Sequence, residues 1–435
     1  MRGLAITAPS TGSGKTVLSL GIMRALSARG IRVAPAKSGP DYIDPQFHAL
    51  ACDRPSVNLD AWAMGAPLVR GLAESAFDKA EEGWLIVEGA MGVLDGAGKE
   101  GFGSTAHLAA ILDLPLVMVV DVRGLSHSSV LAPLGLRSLK PDVELAGVIL
   151  NSVGSRRHES MVRSSFEAAG IKVFGAVPRD ADLELPSRHL GLVPAGEHAG
   201  IERFLFRVAT LAEKHIDLPA LLKAAGVLQR GDEDRMNCGV APLGQRIAIA
   251  RDEAFVFAYS HLVEGWRKAG AEIRYFSPLA DSGPCEDCDA VFLPGGYPEL
   301  HAGRLESNRN FKAGMHDSVA RGAVVYGECG GYMVLGDGLE DGDGKRFSML
   351  ELLPLETSFR RRRHLGYRTL RAEKDAPFNG SFKGHEFHYA SISRSGSGPR
   401  LFAASDSFGN NLGCIGHVAG RVSGSFAHLI CAAGQ

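Results

Sequence analysis

The sequence is short of several things, and each shortage removes a class of protein. No apolar run approaches the ~20 positions that a membrane span needs. Lysine and arginine (47) do not outnumber aspartate and glutamate (49); the formal charge is −2, and the global basic field that holds nucleic acid is missing. Cysteines number only seven in 435 residues, too few and too odd a count for a disulfide framework. Met1-Arg2-Gly3 leads straight into LAITA without a long apolar signal segment, so a cytoplasmic protein with neither membrane nor nucleic-acid partners is expected. What is there, 45% hydrophobic and 22% charged residues, is the composition of a globular protein, and a chain of this length divides into two domains.

Two local exceptions carry little. Arg360, Arg361, Arg362, Arg363 and His364 form a basic run that reads as a solvated loop. Cys285 and Cys288 form a CxxC with no second CxxC and with Pro284, Glu286, Asp287 and Asp289 around it, so they read as loop residues and not as a zinc or redox centre.

The first half alternates short runs rich in Val, Ile and Leu with longer segments of helical spacing. GLAITA, IRVAPAK, WLIVEG, PLVMVVDV, LAGVILNSV and KVFGAVP are buried-strand runs, which together predict a mostly parallel sheet covered by helices on both faces. Between Pro219 and Gln245 the alternation lapses, and the rhythm restarts at RIAIARD, AEIRYFSP, DAVFLPGG and AVVYGECGG. The expected organisation is an α/β domain over 1–225, a linker over 226–244 and a second α/β domain over 245–435.

PSTGSGKT follows the first strand and opens a helix. Gly12 and Gly14 let the backbone approach a phosphate, Lys15 supplies a point charge and the Thr16 hydroxyl can ligate Mg²⁺, so the segment predicts nucleotide binding. Pro9 stands where the usual GxxxxGK[ST] pattern has its first glycine. WLIVEG delivers Glu88 to the carboxyl edge of the sheet, where ligands of open α/β folds collect. Glu88 is a candidate Mg²⁺ ligand; Asp121, at the end of PLVMVVDV, is its rival, and either residue read alone is also a strand-end cap. In KSGPDYIDPQFH, after the strand ending at Lys37, Asp41 and Asp44 lie in a turn at the same edge, as candidates to bind Mg²⁺ or orient a polar substrate; read alone, the segment is an ordinary Asx-rich turn.

VVYGECGGYMVLGDG sets Cys329 between a strand and a helix. Such a corner exposes its central side chain, and the N–H groups and helix dipole that follow lower a thiol pKa and stabilise an oxyanion. His428, in the C-terminal SGSFAHLI, is the candidate base, and Gly295 and Gly296 of PGGYPEL offer a backbone N–H nest for the oxyanion.

With these motifs in place the chain resembles a known family. GECGGYMVLG, PGGYPEL, His428 and GHEFHYAS look like a class I, triad-type glutamine amidotransferase domain with a flavodoxin-like sheet. PSTGSGKT, KSGPDYIDPQFH and VEGAMGVLDG look like a dethiobiotin-synthetase-like P-loop ATPase domain. Their order is that of the cobyrinic or hydrogenobyrinic acid a,c-diamide synthases. The resemblance implies an ATP-dependent ligase of cobalamin biosynthesis that needs Mg²⁺ and amidates the a- and c-acetate carboxylates of a tetrapyrrole acid. Ammonia is freed from glutamine at Cys329, with His428 moving protons, and travels to an acyl phosphate made in the first domain. Carried over residue by residue, Gly12, Gly14, Lys15 and Thr16 contact ATP, Glu88 holds Mg²⁺, Asp41 and Asp44 fall in the substrate and metal region, and Asn151 faces adenine. Ile430 stands two positions after His428, where many triad amidotransferases carry Glu, which leaves the third triad member open. A homodimer is compatible with the family and demanded by no feature of the sequence. Rival readings are a sister amidotransferase, a cobyric acid or nickel-sirohydrochlorin a,c-diamide synthase, and, from another class, a partitioning-type ATPase switch. The switch leaves Cys329 and His428 without a task.

Overall fold

The computed structural model describes residues 1–77, 82–180, 183, 187–188, 191–192, 200–228 and 237–434. The chain forms two compact units, Met1–Met236 and Asn237–Gln435.

The first unit is built on β1 (Arg2–Thr7), β2 (Val33–Ser38), β3 (Val57–Leu59), β4 (Trp84–Glu88), β5 (Leu116–Asp121), β6 (Leu145–Val153) and β7 (Val173–Pro178). These strands lie in the order β3-β2-β4-β1-β5-β6-β7, all parallel. Parallel strands need crossovers, and most of these are helices, among them Lys15–Ala28 and Asp44–Cys52. β1, β2 and β5 are buried over nearly their whole length, which is why they read as continuous apolar runs without alternation. A short hairpin joins β8 (Ser187–Arg188) to β9 (Gly191–Leu192), and β10 (Gly226–Val227) adds to β1 antiparallel. The span expected as a linker, 226–244, therefore starts inside this sheet. Its central residues, 229–236, lie outside the described residues, and Cys238 already belongs to the second unit, where its carbonyl accepts from Ala432 N at 2.7 Å.

The second unit carries two sheets where the sequence reading foresaw one. β11 (Arg246–Ala250), β12 (Glu272–Phe276), β13 (Ala290–Leu293) and β14 (Val324–Glu328) pair in parallel, in the order β12-β11-β13-β14. The other sheet holds β15 (Gly338–Glu340), β16 (Arg346–Ser348), β17 (Leu355–Ala372), β18 (Ser381–Ser395), β19 (Phe402–Asp406) and β20 (Asn411–Ile415). The chain then returns to β14 with β21 (His417–Ala419) and β22 (Val422–Ser425), and crosses back as β23 (His428–Ala432), beside β18.

The Arg360–His364 run is not a loop. It lies within β17, the strand paired antiparallel with β18, and the register shifts between Phe359 and His364. A cluster of like charges hides a strand because it carries no apolar alternation to read, while backbone pairing with β18 flanks it at Phe359 and His364. Cys285 and Cys288 do lie in a loop, where they are joined as a disulfide; Asp287 beside them is ion-paired with Arg274 at 2.7 Å. Among the described residues no helix is long and apolar enough to cross a membrane.

Candidate functional site

In the first unit the chemistry gathers where β1, β2 and β4 end. Gly12 and Gly14 adopt φ of 83° and 90°, a left-handed conformation open to glycine at little cost, and Gly14 caps the helix that begins at Lys15. A side chain at Gly14 would run into Asn151, whose Nδ2 donates to Ser13 O at 2.9 Å. Asn151 thus braces the loop from the end of β6. The Lys15 ammonium reaches across to Met91 O at 2.6 Å and Ser10 O at 3.3 Å, so it sits over the loop held by carbonyls that an anion can replace. Burial lowers the Lys15 pKa, against the pull of Glu88.

Glu88 is wholly buried and organises the edge of the sheet. Its Oε1 accepts from Thr16 Oγ1 at 2.6 Å and from Lys37 Nζ at 2.9 Å, and its Oε2 meets His48 Nε2 at 2.7 Å. Lys37 also pairs with Asp44 at 2.5 Å and lies 4.0 Å from Asp41. Burial works to raise the Glu88 pKa, but Lys37, His48 and Thr16 hold it well below the carboxylate range. For Lys37 burial pulls down while Asp44, Glu88 and Asp41 push up and prevail, which keeps the ammonium charged. Burial and the neighbouring Asp41 push the Asp44 carboxyl upward, opposed by Lys37. Taking such ions out of water costs several kcal/mol each unless they are closely paired, so the arrangement stands because its members satisfy one another.

The sequence reading brought Thr16, Glu88 and Asp44 to one place, and the structure links them: Thr16 donates to Glu88, and Lys37 pairs with both Glu88 and Asp44. Asp41 lies at the same edge, and its Oδ1 also accepts from Ile43 N at 2.8 Å, shaping the turn before the helix Asp44–Cys52. Asp121, the rival metal ligand, is engaged with Arg123 at 2.6 Å instead. Lys37 and His48 were missed. A signal for His48 was present: Asp44 and His48 are four apart, hence on one helical face. Lys37 gave none, since its partnership with Glu88 comes from the register between β2 and β4, in which the two are paired. Hard oxygen donors from a hydroxyl and carboxylates suit Mg²⁺, and Thr16, Glu88 and Asp44 fit that ion.

In the second unit β14 ends at Glu328, and Cys329 takes φ 47° and ψ −105° before the short helix Gly330–Leu335. A non-glycine residue with positive φ is held there by its surroundings: Cys329 N donates to Ser425 O at 2.8 Å and Met333 N to Cys329 O at 3.1 Å. Gly295 is the floor of the site. A Cβ on it would lie 2.5 Å from His428 Cε1, 3.2 Å from His428 Nε2 and 3.2 Å from Cys329 Cβ, so Cys329 and the imidazole flank a position with no room for a side chain. A Cβ on Gly330 would come 3.0 Å from Gly296 N, which brings the two turns together at the nucleophile and suits their N–H groups to an oxyanion.

The lowered thiol pKa expected from the corner is not what the structure gives. Cys329 is 3% exposed; burial, with Glu299, Glu328 and Glu386 adding, pushes its pKa up, and the Gly330 N–H opposes this only in part. His428, 2% exposed, lies beside the same Gly295 position as Cys329.

Comparison with known proteins agrees with both halves. Residues 4–193 match the CobQ/CobB/MinD/ParA nucleotide binding domain, and residues 246–435 the CobB/CobQ-like glutamine amidotransferase domain. The chain is 51% identical over 436 residues to the hydrogenobyrinate a,c-diamide synthase of Brucella anthropi, covering 100% of both. It belongs to the hydrogenobyrinate a,c-diamide synthase family. Members from Rhizobium meliloti (51% identical, 99% of each chain) and Rhodobacter capsulatus (48%, 99% of this chain and 98% of the other) match as fully. Within a family of this two-domain build, the corner at Cys329 falls in the amidotransferase segment and the loop at Lys15 in the nucleotide-binding segment, as the resemblance implied.

Proposed function

We propose that the protein is an ATP- and glutamine-dependent ligase that converts the a- and c-acetate carboxylates of hydrogenobyrinic acid to amides. The observation that supports it most is the presence in one chain of a thiol–imidazole pair over Gly295 and a phosphate loop beside a buried carboxylate and lysine. The Cys329 sulfur attacks the side-chain amide carbon of glutamine while His428 takes the thiol proton and returns it to the departing ammonia. Water then cleaves the thioester to glutamate. Gly295, Gly296 and Gly330 leave space and N–H groups for the oxyanion.

A free carboxylate is a poor acyl donor, because ammonia would have to expel oxide. Transfer of the γ-phosphoryl group of ATP to the carboxylate makes an acyl phosphate, and ammonia displaces phosphate from it. Gly12 and Gly14 cradle the phosphates, Lys15 draws their charge, and Asn151 keeps the loop in shape at the adenine side. Thr16, Glu88 and Asp44 would hold Mg²⁺, which when bound neutralises phosphate charge. Lys37 brings a second cation to the same edge, and Asp41 orders the turn that faces the tetrapyrrole. The partners are thus ATP, glutamine and the tetrapyrrole acid.

Incubation with ATP, Mg²⁺, glutamine and either hydrogenobyrinic or cobyrinic acid, followed by mass spectrometry, tests the reading. Two added amides at the a and c positions of the metal-free ring are expected. Amides at other positions, or product from cobyrinic acid alone, would reassign the substrate.

A further inference from the structure

A histidine that accepts a proton from a buried thiol needs something at its other nitrogen, and the position two residues after His428 cannot provide it: Ile430 is apolar and buried. We propose that Glu328, the residue immediately before Cys329, is the positioning carboxylate of His428, so that the nucleophile and the group orienting its base come from consecutive positions at the end of one strand. This rests on reading Cys329 and His428 as the glutaminase pair.

Glu328 is 1% exposed and its two oxygens face different partners. Oε1 accepts from Leu429 N at 2.9 Å and from Tyr326 Oη at 3.1 Å, which fixes the plane of the carboxylate. Oε2 is left 3.4 Å from His428 Nδ1. Leu429 follows His428, so one carboxylate holds the backbone beside the imidazole and faces the ring itself. That separation is long for a tight hydrogen bond, as such contacts often are before substrate binds. A carboxylate there favours the tautomer with hydrogen on Nδ1. The lone pair is then on Nε2, the nitrogen that shares the space over Gly295 with Cys329. The same charge stabilises the imidazolium formed when the thiol gives up its proton, in a site dry enough for the effect to be large.

Other charged and titratable groups also lie around the pair. Glu386 acts on the thiol but is bound to Arg368 at 2.6 Å. Glu299 raises the thiol pKa from the turn after Gly296. His385, paired in register with His428, and His388 are both held neutral, their pKa values lowered to about 3 by burial.

The direct and indirect effects of Glu328 on Cys329 have opposite signs, which makes the proposal testable. As a bare neighbouring charge Glu328 raises the thiol pKa, so its removal would ease thiolate formation. As the support of His428 it stabilises the ion pair, so its removal would make the thiolate harder to form. The experiment compares full-length wild type, Glu328→Gln, Glu328→Asp and Cys329→Ser in glutamine hydrolysis, in amidation driven by ammonium chloride, and in the pH dependence of Cys329 alkylation by iodoacetamide, read on the Cys329 peptide by mass spectrometry. For Glu328→Gln, kcat for hydrolysis should fall about 100-fold with little change in KM. Ammonium-driven amidation should persist and the alkylation midpoint should move to higher pH. Undiminished kcat, or a midpoint moved to lower pH or unmoved, overturns the proposal. If Glu328→Gln does not fold, Glu328→Asp decides: kcat within about tenfold of wild type supports a requirement for the charge, and a larger loss with an unmoved midpoint refutes it. Hydrolysis by Cys329→Ser would overturn the pair itself. An inactive Cys329→Ser beside a fully active Glu328→Gln would overturn the role of Glu328 alone.

Discussion

The Thr16 hydroxyl donates to the Glu88 carboxylate at 2.6 Å, joining the first turn of the phosphate-loop helix to the end of a strand 72 residues away. The two residues share one edge because β4 lies beside β1 in the sheet, with Ile6 and Glu88 in register. This oxygen pair, with Lys37 behind it, is where the synthetase chemistry is expected, and it can be probed separately from the thiol.

Lys15→Ala should fold and lose amidation by about 100-fold or more with glutamine and with ammonium chloride alike, since the phosphates lose their cation at a site where catalysis is mainly electrostatic. Product formation with both nitrogen sources checks it. Near-normal rates would remove the loop from the mechanism.

Lys37→Met should damage stability as well as activity. It strands Glu88 and Asp44 without their shared cation, and breaking a buried pair from one side costs about 3–5 kcal/mol. The urea midpoint should drop accordingly. A midpoint equal to wild type would mean that water already relieves the charge.

Gly295→Ala isolates the floor of the thiol site. Its backbone is free of positive φ, so strain from the chain itself is not at issue; the new Cβ would press on His428 Cε1 at 2.5 Å. Glutamine hydrolysis should fall about 10- to 100-fold as the pair is pushed apart, while ammonium-driven amidation stays at the wild-type rate. Equal loss of both would show that the substitution acts on the fold.

Cys329→Ser changes little volume and removes the strong nucleophile, so glutamine-driven amidation should fall by about 1,000-fold or more while ammonium salts still support turnover. Product yields with the two nitrogen sources at one pH decide it. Loss of both would join the sites that we propose to be separable.

Acid should weaken the protein through buried histidines. His385 and His388 are lowered to about 3 and His261 to about 4, each chiefly by burial. In the unfolded chain they bind protons near pH 6.5, so the folded state binds fewer. The stability they lend is complete above that pH and is lost as the pH falls toward 4, by up to about 1.4 kcal/mol per pH unit for each histidine. Denaturation midpoints at pH 7.5, 6 and 5 should decline in that order. A midpoint flat across this range would mean that these rings are protonated when folded.

The parts of this protein that could be read from its sequence are those whose chemistry is contiguous. PSTGSGKT carries its glycines, lysine and hydroxyl within one strand-to-helix turn, and the Cys329 corner is likewise local, so short stretches of backbone determine both. The buried parallel strands announced themselves because a strand covered on both faces must be apolar throughout. β17 and β18 did not, since much of their length is polar and their ladder is held by backbone groups that every sequence possesses.

Strand order decided the rest. Lys37 meets Glu88 because β2 lies next to β4, and Glu328 meets His428 because the chain leaves β22 beside β14 and re-enters the other sheet at β23. The thiol pKa went the same way. A local motif promised dipoles that lower it, but burial and three carboxylates brought in from β14, β18 and the Gly296 turn raise it, because in a dry interior desolvation outweighs a few oriented N–H groups. Only the packed structure could set that balance, because Glu299 and Glu386, which act on the cysteine, come from segments far from it in the sequence.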